Sequence, residues 1–338
     1  MSKKTNILAV FATVSALILC GCGNEESASK GITAYTPQTL SNPFESASKG
    51  IIAYTPQTLS NPFFSVIADN IREEAEKNGY EVLVVDPAMD ITKQSNQIED
   101  FIAKNVTAIV LVPVDRFSIG PSVKAANVAG IPVFTVDAKC AAEGAKIEGH
   151  VGTDNFQGGE LAGQAMIQAL GEEGGEVLVL DLKKANSCVL RVDGFKKVIN
   201  AHNEGRTSGK IEIVAELDGN GDRTKGYESA SAALQAHEDL AAIFAINDPS
   251  ALGAYTAVEE ANRQDRIKII GFDGMPDGKK AIKKGQIFAD PIQHPDKMGI
   301  QIVDLIVKYQ AGEEFPQETL LPATLYTKAE ADQDPDLK

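Results

Sequence analysis

The chain contains 338 residues, of which 43% are hydrophobic and 23% are charged, and its formal net charge at pH 7 is −15. This length is enough for two ordinary domains, and the composition is typical of a globular protein. The negative charge opposes binding to phosphate backbones, so we expect no nucleic acid partner.

Residues 1–22 have the pattern of an export signal. Two lysines precede an uninterrupted run of apolar or small residues over 7–20, which is shorter than the roughly 20 residues that a membrane-spanning helix needs. The run ends in Leu-Cys-Gly-Cys at 19–22, which resembles the lipidation box of bacterial lipoproteins. Cys22 fits that box better than Cys20, because Cys20 follows a bulky leucine. We therefore expect an exported protein that is anchored to the membrane through a lipidated Cys22; a cleaved signal without lipid is the alternative.

The next segment is a nearly exact tandem repeat. Residues 26–44 and 45–63 form a tandem duplication that differs only in Thr33 versus Ile52. Only the second copy continues into an amphipathic helical pattern, and Thr33 weakens the apolar run that Ile52 completes. We therefore assign folded structure to the second copy and interpret 23–49, which includes the first copy, as a flexible tether.

From residue 50 onward, short β-rich runs alternate with amphipathic helical patterns. The predicted strands form one series at 51–55, 80–86, 108–113 and 131–137 and a second at 176–181, 211–216, 242–247 and 267–272. The helical patterns cover 62–78, 91–104, 118–129, 154–170, 189–202, 223–237 and 248–262. Such alternation predicts an α/β fold with two doubly wound parallel sheets, and the change from one to the other falls near 150–155. A weak strand over 286–292 and a helix over 296–309 indicate a return to the first domain near 293, whereas the polar residues 329–338 predict a frayed tail.

Ligands of open parallel sheets bind beyond the carboxyl ends of the strands. The polar residues at those ends are Gln57, Asn61, Asp137, Arg191, Asn247, Asp273 and Gln293, with Phe63 and Phe64 beside Asn61. Amides, carboxylates and a guanidinium bind hydroxyl groups, and aromatic faces cover the C–H faces of a sugar ring. The set therefore suits an uncharged polyhydroxylated ligand. Taken singly, each residue has another interpretation: core aromatics, carboxylates at loop entries and a solvated helix arginine.

Six short motifs follow one another along the chain. They are LSNPFF at 59–64, GIPV at 130–133, TDN at 153–155, RVDGF at 191–195, IND at 246–248 and GFDG at 271–274. In this order they resemble the ribose-binding type of periplasmic protein, the substrate-binding component of bacterial ABC sugar importers. The resemblance covers the chain from about residue 50 to 322.

This resemblance implies a type I periplasmic binding protein with two lobes and a multi-strand hinge. The first lobe would contain 50–153 plus 294–322, and the second 154–293 plus 323–328. It also implies a monomer that presents a closed, sugar-bound form to a membrane ABC permease. The implied sugar contacts are Asn61, Phe63, Phe64, Asp137, Arg191, Asn247, Asp273 and Gln293.

Three residues depart from the family pattern. Gln57 stands where a small hydroxyl residue is usual, Ala138 replaces an arginine, and Gly221 falls where an aromatic ring usually packs on the sugar. Losing a guanidinium and an aromatic wall leaves room for a ligand that is larger than ribose or differently substituted. The alternatives are a receptor for a non-sugar polyol or a nucleoside, and a ligand-sensing subunit of a chemoreceptor or sensor kinase.

Catalysis, metal and cofactor are not expected. The Asp-Gly-Asn-Gly-Asp run at 218–222 imitates a Ca²⁺ loop but lacks its glycine and its final glutamate, and no nucleophile motif is present. Export would place Cys140 and Cys188 in an oxidising compartment. We favour two unpaired cysteines; the alternative is a bridge between opposite lips of the cleft that locks the lobes closed.

Overall fold

A computed structural model of the chain describes residues 48–338. The predicted signal, Cys22, the first repeat copy and the tether up to residue 47 lie outside the described residues. Within 48–338, no helix combines the length and the apolar composition needed to cross a membrane.

The described chain alternates strands and helices from end to end. The strands are β1 (Ile51–Thr55), β2 (Glu81–Val84), β3 (Ala108–Leu111), β4 (Val133–Val136), β5 (Gly149–Thr153), β6 (Gly175–Asp181), β7 (Ile211–Asp218), β8 (Leu240–Ala245), β9 (Lys268–Ile270), β10 (Ala289–Ile292), β11 (Glu318–Leu321) and β12 (Thr324–Thr327). The helices are α1 (Pro62–Lys77), α2 (Ile91–Ala103), α3 (Gly120–Val128), α4 (Asn155–Leu170), α5 (Asn186–Asn203), α6 (Arg223–Ala236), α7 (Asp248–Glu260), α8 (Pro276–Lys283), α9 (Pro295–Ala311) and α10 (Lys328–Gln333).

Two six-stranded sheets organise these elements into two lobes. The first sheet has the order β11-β5-β4-β3-β1-β2 and is parallel throughout. The second has the order β12-β10-β9-β8-β6-β7, and only β12 runs antiparallel to its neighbour. The predicted pair of doubly wound sheets is therefore confirmed. Strands β5, β11 and β12 were not predicted, because they are short and β5 contains two glycines, which weaken the strand pattern.

The chain passes between the two sheets three times. It leaves the first sheet after β5, returns after β10, and leaves again in the short step from β11 to β12. Three parallel connections make a hinge that permits the lobes to close and open but limits other motions.

Each sheet is covered on both faces by helices. In the first lobe, α1 and α9 cover one face and α2 and α3 the other; in the second, α4 and α5 cover one face and α6, α7 and α8 the other. The buried strands are consequently apolar along their whole length, as in Ala108–Leu111.

The expectation of a frayed tail at 329–338 is wrong. This segment forms α10 and a 3₁₀ turn (Pro335–Leu337) that pack against α8 of the second lobe. Asp334 accepts hydrogen bonds from Tyr326 Oη at 2.6 Å and from Lys279 Nζ at 3.2 Å, and Ala331 is fully buried. The segment is mostly polar, but the buried residues Ala331 and Asp334 fix it to the second lobe.

Candidate ligand-binding site

All nine residues that the sequence singled out lie in the wall of one cleft between the lobes. The cleft encloses a cavity of about 980 Å³, at the upper end of the range for small-molecule sites. The first lobe contributes Gln57, Asn61, Phe63, Phe64 and Asp137; the second contributes Arg191, Asn247 and Asp273, and Gln293 follows β10 at the hinge.

The turn between β1 and α1 comes from the second repeat copy. Asn61 begins the helix: its Oδ1 accepts from the Phe63 amide at 3.0 Å, and Pro62 occupies the first helical position, where no N–H is needed. The amide nitrogen of Asn61 makes no hydrogen bond within residues 48–338 and is available to a ligand. Gln57 behaves differently, because its Nε2 donates to the Pro113 carbonyl at 2.8 Å and so fixes the neighbouring loop.

Phe63 and Phe64 satisfy both interpretations that the sequence left open. Their rings meet edge to face, with centroids 5.4 Å apart, and both belong to the apolar core of the first lobe. They also line the cavity. The pair can therefore present a rigid apolar wall to a ligand, because the core fixes the ring positions.

Asp137 enters the cleft at the end of β4. Its backbone is left-handed (φ 62°), and its amide donates to the Val151 carbonyl at 2.9 Å. Its Oδ1 is buried, and no donor among residues 48–338 reaches it. A buried carboxylate oxygen without a donor is costly, so a hydroxyl donor from a ligand would remove that cost.

Arg191 is the centre of the second lobe's wall. Its side chain is 4% exposed, which contradicts the interpretation as a solvated helix residue. Nε donates to Asn155 Oδ1 at 2.8 Å, and Nη1 donates to the Ile246 carbonyl at 2.7 Å and to Asp273 Oδ1 at 3.3 Å. The guanidinium also stacks on the ring of Phe272 at 3.9 Å. These contacts hold its plane in one orientation, as bidentate recognition requires.

Asp273 connects this arginine to the hinge. Gln293 Nε2 donates to Asp273 Oδ1 at 2.6 Å, and Gln293 Oε1 accepts from Thr153 Oγ1 at 2.6 Å. Thr153 ends β5 of the first sheet. The chain of hydrogen bonds therefore runs from the ligand wall of one lobe to the last strand residue before the crossover.

Burial has the largest effect on the pKa values of the Asp137 and Asp273 carboxyls. It raises the pKa of Asp137 to about 6 and that of Asp273 to about 7, although Arg191 opposes both shifts. Arg191 Nη2 lies 4.0 Å from Asp137 Oδ1, across the gap between the lobes. The ion pair thus spans the cleft, and both carboxyls lack the solvation they would have in water.

Asn247 is partly committed to the fold. Its Oδ1 accepts from the Ser250 amide at 3.1 Å and so begins α7, while Nδ2 donates to the Gly221 carbonyl at 2.9 Å. Only the second hydrogen of the amide remains for a ligand. Gly221 itself has a left-handed backbone (φ 65°), and a Cβ there would lie only 3.3 Å from Asn247 Nδ2 and 3.4 Å from Leu182 Cδ2.

Met89 is a cavity residue of the first lobe that sequence reasoning missed and that reaches the second lobe. Met89 lines the cavity and packs against the apolar cluster of the second lobe that includes Leu182 and Cys188. It follows β2 in a loop where Ala88 and Met89 both have positive φ. The end of β2 was the available signal, but a methionine there carries no polar chemistry that marks a site.

The two cysteines of the described chain are not bonded to each other. Both are free thiols in the described structure. Cys188 lines the cavity, whereas Cys140 packs against the core of the first lobe. The bridge that was the alternative is not formed in the described structure.

The lobes touch at the rim of the cleft. The Arg116 amide of the first lobe donates to the Lys184 carbonyl of the second at 2.9 Å, and Met275 of the second lobe joins the core cluster of the first. With the contacts of Met89 and the pair of Arg191 and Asp137, these bonds define a closed arrangement.

A two-lobed α/β protein with a polar, closed interlobe cleft is the architecture of a solute receptor, and comparison with known proteins gives the family. Residues 52–314 match the periplasmic binding protein domain, and the chain belongs to that family. The fold is that of a type I periplasmic binding protein, as predicted, and the family implies an extracytoplasmic location.

Three similar proteins illustrate the range of the family. The ribose import binding protein of Salmonella typhimurium is 34% identical over 309 residues, which cover 91% of this chain and 95% of that protein. An ABC transporter solute binding protein from Actinobacillus succinogenes with bound D-allose has 27% identity and a TM-score of 0.75, and the match covers 85% of this chain and 100% of that one. A solute binding protein from Agrobacterium vitis bound with α-D-tagatopyranose has 25% identity and a TM-score of 0.79, with coverage of 86% and 98%.

Proposed function

We propose that this protein captures a monosaccharide, a pentose or a hexose-like sugar, in the interlobe cleft and delivers it to an ABC permease. The observation that carries the proposal is the cross-lobe pair of Arg191 and Asp137, in which the paired oxygen, Asp137 Oδ1, is buried and accepts no hydrogen bond from the described residues. A sugar supplies several hydroxyls that donate and accept at once, which is what Asp137, Arg191 and Asp273 require. The relatives named above support the proposal, because one is named for ribose import and the other two have a sugar bound.

The nine residues have separate roles in this proposal. Phe63 and Phe64 cover one face of the sugar ring, and Asn61 and Asp137 bind hydroxyls from the first lobe. Arg191, Asn247 and Asp273 bind hydroxyls from the second lobe, while Gln293 positions Asp273 at the hinge. Gln57 acts through the loop that it holds. Closure is stabilised by ligand contacts that form only when both lobes touch the sugar.

The departures from the family pattern favour a ligand other than ribose. Ala138 is buried and supplies no guanidinium, and Gly221 supplies no ring where one is usual. We infer a hexose or a substituted pentose as the preferred ligand, because Ala138 and Gly221 replace the larger groups that the family pattern has at those positions. A non-sugar polyol or a nucleoside would occupy the same donors and acceptors and is the alternative.

A thermal-unfolding screen of pentoses, hexoses, polyols and nucleosides tests the proposal. A ligand at a hundred times its dissociation constant adds about 2.7 kcal/mol to the free energy of unfolding. We expect the largest shift from an aldohexose or ketohexose, and the loss of that shift in Asp137→Ala. The exposed Asp239→Asn serves as the matched control and should keep it. A shift with nucleosides alone, or equal shifts in Asp137→Ala and the parent, would contradict the proposal.

We propose that the N-terminus tethers the protein to the membrane through a lipid on Cys22. Metabolic labelling with a palmitate analogue should mark the parent chain and Cys20→Ser but not Cys22→Ser. Release of Cys22→Ser into the soluble fraction is expected, and labelling that persists in Cys22→Ser would exclude this anchor.

The partner that receives the closed lobes is, in this proposal, a membrane permease, and the protein acts as a monomer. A chemoreceptor or sensor kinase would recognise the same closed form. Sugar uptake by cells that lack this protein separates the two: loss of uptake identifies transport, and normal uptake with loss of the sugar response identifies sensing.

A further inference from the structure

Two carboxyl groups lie buried against each other behind the second lobe's half of the cleft. Asp248 is the first residue of α7 and Asp290 lies within β10; their residues are 2% and 0% exposed. Asp248 Oδ2 accepts from the Met275 amide at 2.6 Å. Asp248 Oδ1 and both carboxyl oxygens of Asp290 receive no hydrogen bond from a donor within residues 48–338. Three acceptor oxygens are therefore left at one buried point.

The packing around this point keeps the carboxyls in contact. They lie within hydrogen-bonding reach of each other. Gly278 of α8 stands directly against the Asp248 carboxyl and Gly271 against the Asp290 carboxyl, so that a Cβ at either glycine would collide with the acid. Both carboxyls are therefore closely packed by backbone, with no room for a side chain at either glycine.

The charge balance does not allow both acids to ionise. The buried residues of the described chain include six carboxyls but only one arginine or lysine, Arg191; the carboxyls are Asp137, Asp181, Asp248, Asp273, Asp290 and Asp334. Arg191 is engaged with Asp273 and faces Asp137. Two adjacent carboxylates without a cation would repel each other strongly in a low-dielectric interior, so one of them keeps its proton.

We propose that Asp248 and Asp290 share one proton, and that the resulting hydrogen bond makes Asp290 a positioning residue for the ligand site. The bond joins three elements of the second lobe's wall. Asp248 is next to Asn247, its Met275 contact fixes the loop that carries Asp273, and β10 leads directly to Gln293. Its role toward the ligand rests on the proposed function; the shared proton itself does not.

The surrounding charges are consistent with this assignment. Burial raises the pKa of Asp248 well above its usual range and that of Asp290 to about 6, and the negative charge of Asp273 adds to the shift of Asp248. The other titratable groups on the packed elements face elsewhere: Lys279 and Tyr326 bind Asp334, Lys280 binds Asp277, and Lys283 binds the Leu337 carbonyl. None of them supplies a cation to the pair.

The shared proton predicts how stability depends on pH. The folded state holds a proton that the unfolded chain releases near the ordinary aspartate pKa, so the free energy of unfolding falls as pH rises above that value. Asp290→Asn replaces the shared proton by an amide N–H, which donates to Asp248 without titrating. We expect the parent to lose stability more steeply than Asp290→Asn between about pH 5 and about pH 8.

Urea unfolding and infrared spectroscopy test the proton without any ligand. The parent should show the carbonyl stretch of a protonated carboxylic acid at neutral pH, weakened in Asp290→Asn but unchanged in the exposed control Asp239→Asn. If Asp290→Asn does not fold, Asp248→Asn replaces it. Equal pH slopes in parent and variant, or an unchanged carbonyl band in the variant, would overturn the shared proton.

Calorimetry with D-allose and D-ribose as probes then tests positioning. We expect the parent's affinity to fall severalfold from about pH 6 to about pH 8 and that of Asp290→Asn to fall less, because only the titration of Asp137 and Asp273 remains in the variant. Asp290→Ala should bind weakly at both pH values. If neither probe binds the parent at any pH, the proposed function fails while the unfolding and infrared results still decide on the proton. Binding by Asp290→Ala that equals the parent's would overturn the positioning role.

Discussion

Replacing Arg191 by methionine tests the electrostatic account of the cleft most directly. Methionine keeps a long, flexible apolar side chain that can still cover Phe272, but it removes the bonds to Asn155 Oδ1 at 2.8 Å, to the Ile246 carbonyl at 2.7 Å and to Asp273 Oδ1 at 3.3 Å. Removing one partner from a buried ion pair costs about 3–5 kcal/mol, because the other charge is left uncompensated. We expect a loss of that size in the free energy of unfolding at about pH 8.

The pH dependence of this loss carries more information than its size. Arg191 lowers the pKa values of Asp137 and Asp273 against the effect of burial, which raises them to about 6 and about 7. Without the arginine, both values rise further above those of the unfolded chain. At low pH the two carboxyls are neutral in parent and variant alike, so the difference in stability should shrink. It should widen as pH rises through 6 and 7.

Urea unfolding of the parent and Arg191→Met, followed at several pH values, measures this difference. Arg223→Met is the matched control, because Arg223 lines the same cleft but is exposed; its cost should be near zero at every pH. A loss for Arg191→Met below about 1 kcal/mol, or one that does not change with pH, would refute the reasoning.

Two further predictions concern the first lobe. Deleting residues 26–44, the first repeat copy, should leave the affinity for the sugar found by screening unchanged. Deleting 45–63 instead joins the first copy to Phe64, which places Thr33 at the buried position of Ile52, and should lower the free energy of unfolding without removing the site. Calorimetry and urea unfolding of the two shortened chains measure these effects, and a weakened site after deletion of 26–44 would assign a role to the first copy. Met89→Ala removes a half-buried side chain that packs on the second lobe. The free energy of lobe closure should become less favourable by about 1 kcal/mol, which weakens ligand binding about fivefold. Small-angle scattering should then show a more open ligand-free protein; unchanged scattering and affinity would show that Met89 does not support closure.

Most of the fold follows from local pattern. Continuous apolar runs such as Ala108–Leu111 allow only a strand covered on both faces, and their alternation with amphipathic segments allows only parallel sheets with helical crossovers. The same logic places polar residues such as Asp137 and Asp273 together, since the carboxyl ends of parallel strands meet at one edge. The folded repeat copy was also readable, because only one copy leads into an amphipathic helix.

Tertiary packing decided the rest. Asp248 and Asp290 meet because α7 and β10 pack on the same glycine-lined region, and neither residue has a local pattern that marks a buried acid. Met89 reaches the second lobe because two consecutive left-handed residues turn its loop across the cleft. The polar segment after β12 packs onto α8 because Asp334 accepts hydrogen bonds from Tyr326 and Lys279. The sequence by itself determined which elements form and which strand ends carry polar groups, since both depend on neighbours in the chain. Only the tertiary structure decided which of those groups are neutralised by a cation, by a hydrogen bond or by a proton, because the partners come from distant elements.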